Sequence, residues 1–169
     1  MLIIHFNQSE VKQLENKMII LNKDAVMEQG IDFDKGLWFA SYGDIVLDNE
    51  EANGGKPFTG LVYELYENGN LAYYSFYKSG FKEGNYVKFH KNGKVRSIDY
   101  MVKGQTRGVR KKWYESGELM YEGEFRFGIC LRYIEMDRQG NILRQKNSPT
   151  KDDLELINRF SESDKNEKL

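Results

Sequence analysis

The chain has 169 residues, 25 basic and 26 acidic side chains for a formal charge of −1, and is 40% hydrophobic and 14% aromatic. That length suits one domain, the aromatic share is too high for a disordered chain, and no apolar run approaches the roughly 18–20 residues of a membrane-spanning helix. The near-zero charge argues against a dedicated nucleic-acid binder, and the lone cysteine, Cys130, cannot form an internal disulfide.

Residues 1–56 are irregular and acidic, with 5 basic and 10 acidic side chains. Residues 2–6 and 18–21 read as short strands, and residues 9–15 as a helical turn opened by Ser9 as N-cap. The start Met1-Leu-Ile-Ile-His5 lacks the basic head of a signal peptide, so the expected location is cytoplasmic. Residues 37–42 and 45–47 read as a hairpin around Gly43-Asp44. Gly36 lies 24 residues before Gly60, which leaves the segment either a decayed copy of the repeat that follows or a separate subdomain packed on the sheet. Its acids are densest at Asp44, Asp48, Glu50 and Glu51.

Residues 57–146 are repetitive. Gly60, Gly84 and Gly108 are spaced by 24, as are Gly69, Gly93 and Gly117, and again Gly80, Gly104 and Gly128. The copies run at about 60–83, 84–107, 108–130 and 131–146. Each reads as two short strands around a turn such as Asn68-Gly69 or Asn92-Gly93, whose residues tolerate positive φ. Strands this short and this tightly joined pair antiparallel with their neighbours. The expected fold is therefore mainly β: tandem hairpins of period 24 in one elongated, twisted meander sheet.

A three-residue loop at each glycine turn pairs Leu65 with Leu71, Phe89 with Val95, Trp113 with Leu119 and Met136 with Ile142, whereas a two-residue loop scatters these side chains over both faces. Simple alternation from there puts Tyr63, Leu65, Leu71, Tyr73, Tyr77, Val87, Phe89, Val95, Met101, Trp113, Leu119, Tyr121 and Phe125 on an apolar face. It puts Tyr66, Tyr74, Phe76, Tyr86, Lys88, His90, Arg96, Tyr100, Arg110, Lys112, Tyr114 and Glu122 on a mixed aromatic and cationic face. This region carries 16 basic and 10 acidic side chains.

Residues 147–169 read as a C-terminal helix and a frayed tail. Thr150 followed by Asp153 resembles a capping box, Leu154, Ile157 and Phe160 form one stripe to dock on the sheet, and residues 161–169 are polar.

The runs Gly55-Lys-Pro-Phe-Thr-Gly60, Tyr66-Glu-Asn-Gly69 and Lys78-Ser-Gly-Phe-Lys-Glu-Gly84 resemble the variant MORN (membrane occupation and recognition nexus) repeat, over residues 56–146. The resemblance implies a row of stacked β-hairpins and, since bacterial proteins with this variant are commonly described as antitoxin or immunity proteins, a role against a toxin. It carries over no catalytic residue. Arg132 stands where the pattern expects glycine and Lys111 where it expects an apolar residue, which marks the fourth copy as a degenerate terminal cap.

Chemistry-bearing residues are sparse. The only histidines, His5 and His90, have no ligand spacing to each other or to Cys130, and no nucleophile elbow, phosphate loop or dinucleotide motif occurs. The expectation is a non-catalytic binding protein without cofactor or metal. Two candidate binding surfaces stand out. One is the mixed face, with Tyr66, Tyr74, Tyr86, His90, Tyr100, Arg110 and Tyr114, unless the flanking segments cover it as a second core. The other is the acidic run Asp44, Asp48, Glu50 and Glu51, suited to filling a basic toxin cleft. The expected partner is a cognate protein toxin, bound at its active site by a monomer or an edge-paired dimer. The alternative is a lipid-surface scaffold, which the acidic flanks disfavour, and nucleic-acid binding by stacking is more distant still.

Overall fold

The computed structural model describes residues 18–166. Residues 2–6 and 9–15, expected as a strand and a helical turn, lie outside the described residues. The chain runs through helix α1 (Lys23–Gln29), strand β1 (Gly30–Asp32), a short hairpin of β2 (Trp38–Phe39) and β3 (Val46–Leu47), then the main series. That series is β4 (Gly60–Leu65), β5 (Leu71–Lys78), β6 (Phe81–Phe89), β7 (Val95–Val102), β8 (Gln105–Trp113), β9 (Leu119–Arg126), β10 (Ile129–Met136) and β11 (Ile142–Lys146), closed by helix α2 (Lys151–Asn166). Strands β4 to β11 form an antiparallel meander in sequence order, and β1 joins its edge parallel to β4 to complete a nine-stranded sheet.

All four expected cross-strand pairs form: Leu65 with Leu71, Phe89 with Val95, Trp113 with Leu119 and Met136 with Ile142. Tyr66 N donates to Asn70 O and Gly69 N to Tyr66 O, and His90/Lys94, Tyr114/Glu118 and Asp137/Asn141 repeat the pattern. The glycines closing these three-residue loops, Gly69, Gly93, Gly117 and Gly140, have φ of 80°, 84°, 117° and 83°, a region costly for residues with a Cβ. Two-residue turns with both residues at positive φ join the repeats at Ser79-Gly80, Lys103-Gly104 and Phe127-Gly128.

The faces differ from simple alternation. Immediately after each inner pair the register shifts: Glu64 opposes Tyr73, Lys88 opposes Ser97, and Lys112 opposes Tyr121. The extra residue on each returning strand, Ala72, Arg96 and Met120, forms a bulge, and one inserted residue turns every later side chain of that strand over. The first face therefore carries the rows Tyr63–Tyr74–Val87–Ile98–Lys111–Glu122 and Leu61–Phe76. The second carries Val62–Ser75–Tyr86–Asp99–Arg110–Gly123–Tyr133. Tyr73, Tyr77, Met101, Tyr121 and Phe125, expected on the apolar face, lie on the second. Tyr74, Phe76, Tyr100 and Glu122, expected on the mixed face, lie on the first.

The first face holds the larger core. Leu61, Tyr63, Leu71, Tyr74, Val87, Phe89 and Ile98 are buried together with Val26 of α1, and Met18, Leu21 and Trp113 pack at the margin. Residues 18–21 are an extended strap, not a paired strand: Leu21 N donates to Tyr74 Oη (2.8 Å), and Asn85 Nδ2 donates to Ile19 O (3.0 Å). Helix α1, absent from the sequence expectations, is capped by Asn22, whose Oδ1 accepts from Ala25 N, and it buries Val26 alone, too little to create a readable period.

The second face has a smaller core at its N-terminal end, where Leu37 and Val46 cover Val62 and Tyr77 with Phe33 and Phe58 alongside. The expected hairpin exists as β2–β3, tied to the sheet by Val46 N to Gly80 O and Phe58 N to Val46 O. Gly36 has an extended φ of 177°, and β1 is parallel, so residues 30–47 do not continue the antiparallel repeat geometry.

At the far end, Thr150 caps α2 as expected, with Asp153 N donating to Thr150 Oγ1 (3.2 Å) and Thr150 N to Asp153 Oδ2 (2.6 Å). Ile157 is buried, and Phe160 packs on Phe127 at 5.9 Å between ring centroids. The helix continues through residues 161–166, which were expected to fray, because Ser161 Oγ donates to Ile157 O and Asp164 meets Lys103.

Candidate functional site

Three of the expected surface residues are used inside the molecule. Tyr66 Oη donates to Phe89 O (2.8 Å), His90 Nε2 bonds Trp113 O (2.9 Å), and Tyr114 Oη donates to Met136 O (2.9 Å). Each side chain pegs its own turn to the carbonyl one repeat onward. Because a carbonyl only accepts, His90 holds its hydrogen on Nε2. Tyr74 is fully buried, and Tyr100 sits on the first face opposite Asn85. Only Tyr86 and Arg110 of the expected set lie in the body of the second face.

That face is a mosaic of phenols and ammonium groups. The Tyr86 ring has Lys82 Nζ at 5.2 Å and Lys88 Nζ at 4.8 Å from its centroid, with Tyr73 edge-on at 5.7 Å. Lys112 Nζ lies 5.0 Å from the Tyr121 ring, which stacks on Tyr133 at 5.5 Å. Gly123 makes the room: a Cβ there would come within 2.5 Å of the Tyr121 hydroxyl, so only glycine lets that ring lie over the strand. Ser75, Ser97 and Thr106 are buried between the larger side chains.

The electrostatics divide the cations. Arg110 pairs through Nε with the buried Asp99, donates from Nη2 to Thr106 Oγ1 (2.8 Å) and lies 4.6 Å from the Phe125 ring, so its charge is spent within the sheet. Burial lowers the Lys82 ammonium below its ordinary value, and Asp44 opposes that effect. Burial pushes the Tyr73, Tyr77 and Tyr121 phenols well above theirs, aided at Tyr73 by a hydrogen bond to Glu64 and at Tyr121 by Cys130. The rings thus stay neutral donors at any physiological pH, and the lysines set the charge of the face.

The acidic segment borders this face. Asp44, Asp48, Glu50 and Glu51 are all exposed. Asp48 Oδ1 accepts from Lys56 N, Glu50 Oε2 from Asn53 Nδ2, and Glu51 Oε2 from Ser41 N, which lowers the Glu51 carboxyl. Asp44 is the member that reaches the field of Lys82 and Tyr77. The acidic segment thus meets the second face at two residues that were not in the expected binding set.

The family model described as MORN repeat variant matches residues 58–79, 82–103 and 107–126. Residues 58–126 thus carry three MORN-variant repeats. A curated relative, "Immunity protein YwqK" of Bacillus subtilis (strain 168), is 50% identical over 60 residues, 36% of this chain. The matched stretch spans only 38% of that relative's length. Among solved structures, "Crystal Structure of TarM" aligns over 82% of this chain and 24% of that one, at 10% identity and a TM-score of 0.33, a likeness that carries no argument. Neither the MORN-variant family nor the relative's name points to catalysis.

The departures of the MORN-variant array from its pattern have local explanations. Lys111 reaches Glu122 (3.6 Å) on the first face, and Arg132 reaches the buried Glu124. In the second and third copies Gly84 and Gly108, at φ of 81° and 87°, sit within a two-residue register shift; around Arg132, which has no positive φ, the shift is one residue. Sequence reasoning missed Tyr73, Lys82, Tyr121 and Tyr133 as members of the site. The available signal was Ile98, an apolar residue that simple alternation strands between Arg96 and Tyr100 on the mixed face.

Proposed function

We propose that this chain is an immunity protein that binds a cognate protein toxin through the second face of its MORN-variant array and blocks the toxin's active site. The observation that carries the reading is the 50% identity over 60 residues to a protein named for immunity, beside the three repeats that match the MORN variant. The face itself supports it: half-buried tyrosines with few rotatable bonds, held on a hydrogen-bonded sheet, offer contact area at small entropic cost. A cytoplasmic location accompanies this reading, since the toxin must be met before it acts on its producer. The test is isothermal titration of the full chain against the toxin domain encoded in the neighbouring reading frame, with that domain's activity followed in parallel. A saturable complex with loss of toxin activity is expected. No detectable heat and no inhibition would sink the proposal, and a complex that leaves toxin activity intact would remove the active-site part of it.

A further inference from the structure

One row of the second face has a charge pattern that selects its ligand. Reading across β4 to β10, Glu64, Tyr73, Lys88, Ser97, Lys112, Tyr121 and Glu135 stand directly opposite one another. The order is acid, ring, ammonium, small residue, ammonium, ring, acid. At about 4.8 Å per strand, the two lysines start roughly 10 Å apart with only Ser97 between them. Ser97 is buried, so the row dips at its centre.

Lys88 and Lys112 differ from Arg110 and Lys82, the cations nearest them in the rows of the face. Arg110 is neutralised by Asp99, and Lys82 lies in the field of Asp44. Lys88 and Lys112 contact the Tyr86 and Tyr121 rings but reach no carboxylate within ion-pair distance among the described residues. Two ammonium groups leaning on neutral rings attract an anion, and the tyrosine rows on either side provide amphipathic contact area for a protein. An extended polyanion is disfavoured: Glu64 and Glu135 flank the two lysines with carboxylates along the row, Arg144 stands beyond Glu135 on the edge strand β11, and Arg110 is already engaged.

We propose that Lys88 and Lys112 seat a carboxylate side chain of the protein partner over Ser97, between the Tyr73 and Tyr121 rings, so that the partner's matching surface is a short acidic projection. This rests on the toxin-binding reading and specifies the chemistry of its contact. The test is titration of the full-length Lys88→Gln/Lys112→Gln variant against the same toxin domain at two salt concentrations. A Lys78→Gln/Lys91→Gln variant, which removes equal charge from exposed positions elsewhere, serves as control. The expected result is about a thirtyfold loss of affinity and a flattened salt dependence for the first variant, with the control unchanged.

Should the double variant unfold, the single variants are measured instead, and each is expected to show an intermediate loss. Wild-type affinity in the variants, or an equal loss in the control, overturns the seat while leaving the immunity reading intact. Failure of the wild-type chain to bind overturns both. Phosphatidylglycerol vesicles bound by wild type and released by the variant would overturn the protein occupant, and so would self-association lost in the variant.

Discussion

The two faces of the sheet are built from the same strands, yet they became different surfaces. The first face gathers Tyr63, Tyr74, Val87 and Ile98 under the strap and α1, which fill it as a core. The second is roofed only at its beginning, by Leu37 and Val46, and further on presents Tyr86, Lys88, Lys112 and Tyr121 half-buried. Both have rings in repeated rows, so aromatic content does not distinguish them. What does is the partner each ring finds: on the first face apolar side chains from outside the repeats, on the second ammonium groups from its own strand or the adjacent one. A repeat sheet can use identical spacing to make a core on one side and a contact surface on the other.

The strongest way to break this contrast is to slip one strand by a residue. Inserting one alanine between Tyr73 and Tyr74 moves Tyr74 from its place opposite Tyr63 to one opposite Val62 on the second face, so the near-ultraviolet circular dichroism and the cooperative urea transition should both be lost, whereas deleting the unpaired Ala72 keeps every pair and should preserve both. Next in size, Tyr74→Ala should cost about 3–5 kcal/mol in a urea melt, as expected for a buried aromatic, whereas Tyr74→Phe, which removes only the acceptor for Leu21 N, should cost about 1 kcal/mol. On the opposite face Tyr86→Ala should lower stability by only about 1 kcal/mol, since it loses two cation–ring contacts and part of its packing. That variant should nevertheless lose toxin binding, so unchanged binding would make the second face merely structural.

The smallest effect concerns α2. Lys146 Nζ and the Thr150 N–H hold the Asp153 carboxyl at about 2, below the ordinary 3.8. A depressed carboxylate contributes stability that is complete above its unfolded value and lost as pH falls through the folded one. The thermal midpoint should therefore drop between about pH 4 and pH 2, less steeply in Asp153→Asn than in wild type, measured by circular dichroism. Glu51, Glu118 and Asp137 are lowered in the same sense and keep part of the slope in the variant.

Much of this molecule is decided within a few residues of chain. The 24-residue spacing, the glycines at positive φ, the three-residue loops, the four inner pairs and the cap at Thr150 are all local, because each depends on a turn or a helix end whose geometry its own residues dictate. The fold class was legible for that reason. What only tertiary structure decided lies one step further out. A bulge costs little locally and leaves no signature in composition, yet it turns over a whole strand, and it did so in four successive copies. The strap on Tyr74, the short helix burying one valine, and the approach of Asp44 to Lys82 each join residues far apart in sequence, where no local propensity reaches. The opening charge of −1 belongs to neither face. Its meaning came from where the sheet pairs its carboxylates and where it sets Lys88 and Lys112 against rings, with no carboxylate within ion-pair distance among the described residues.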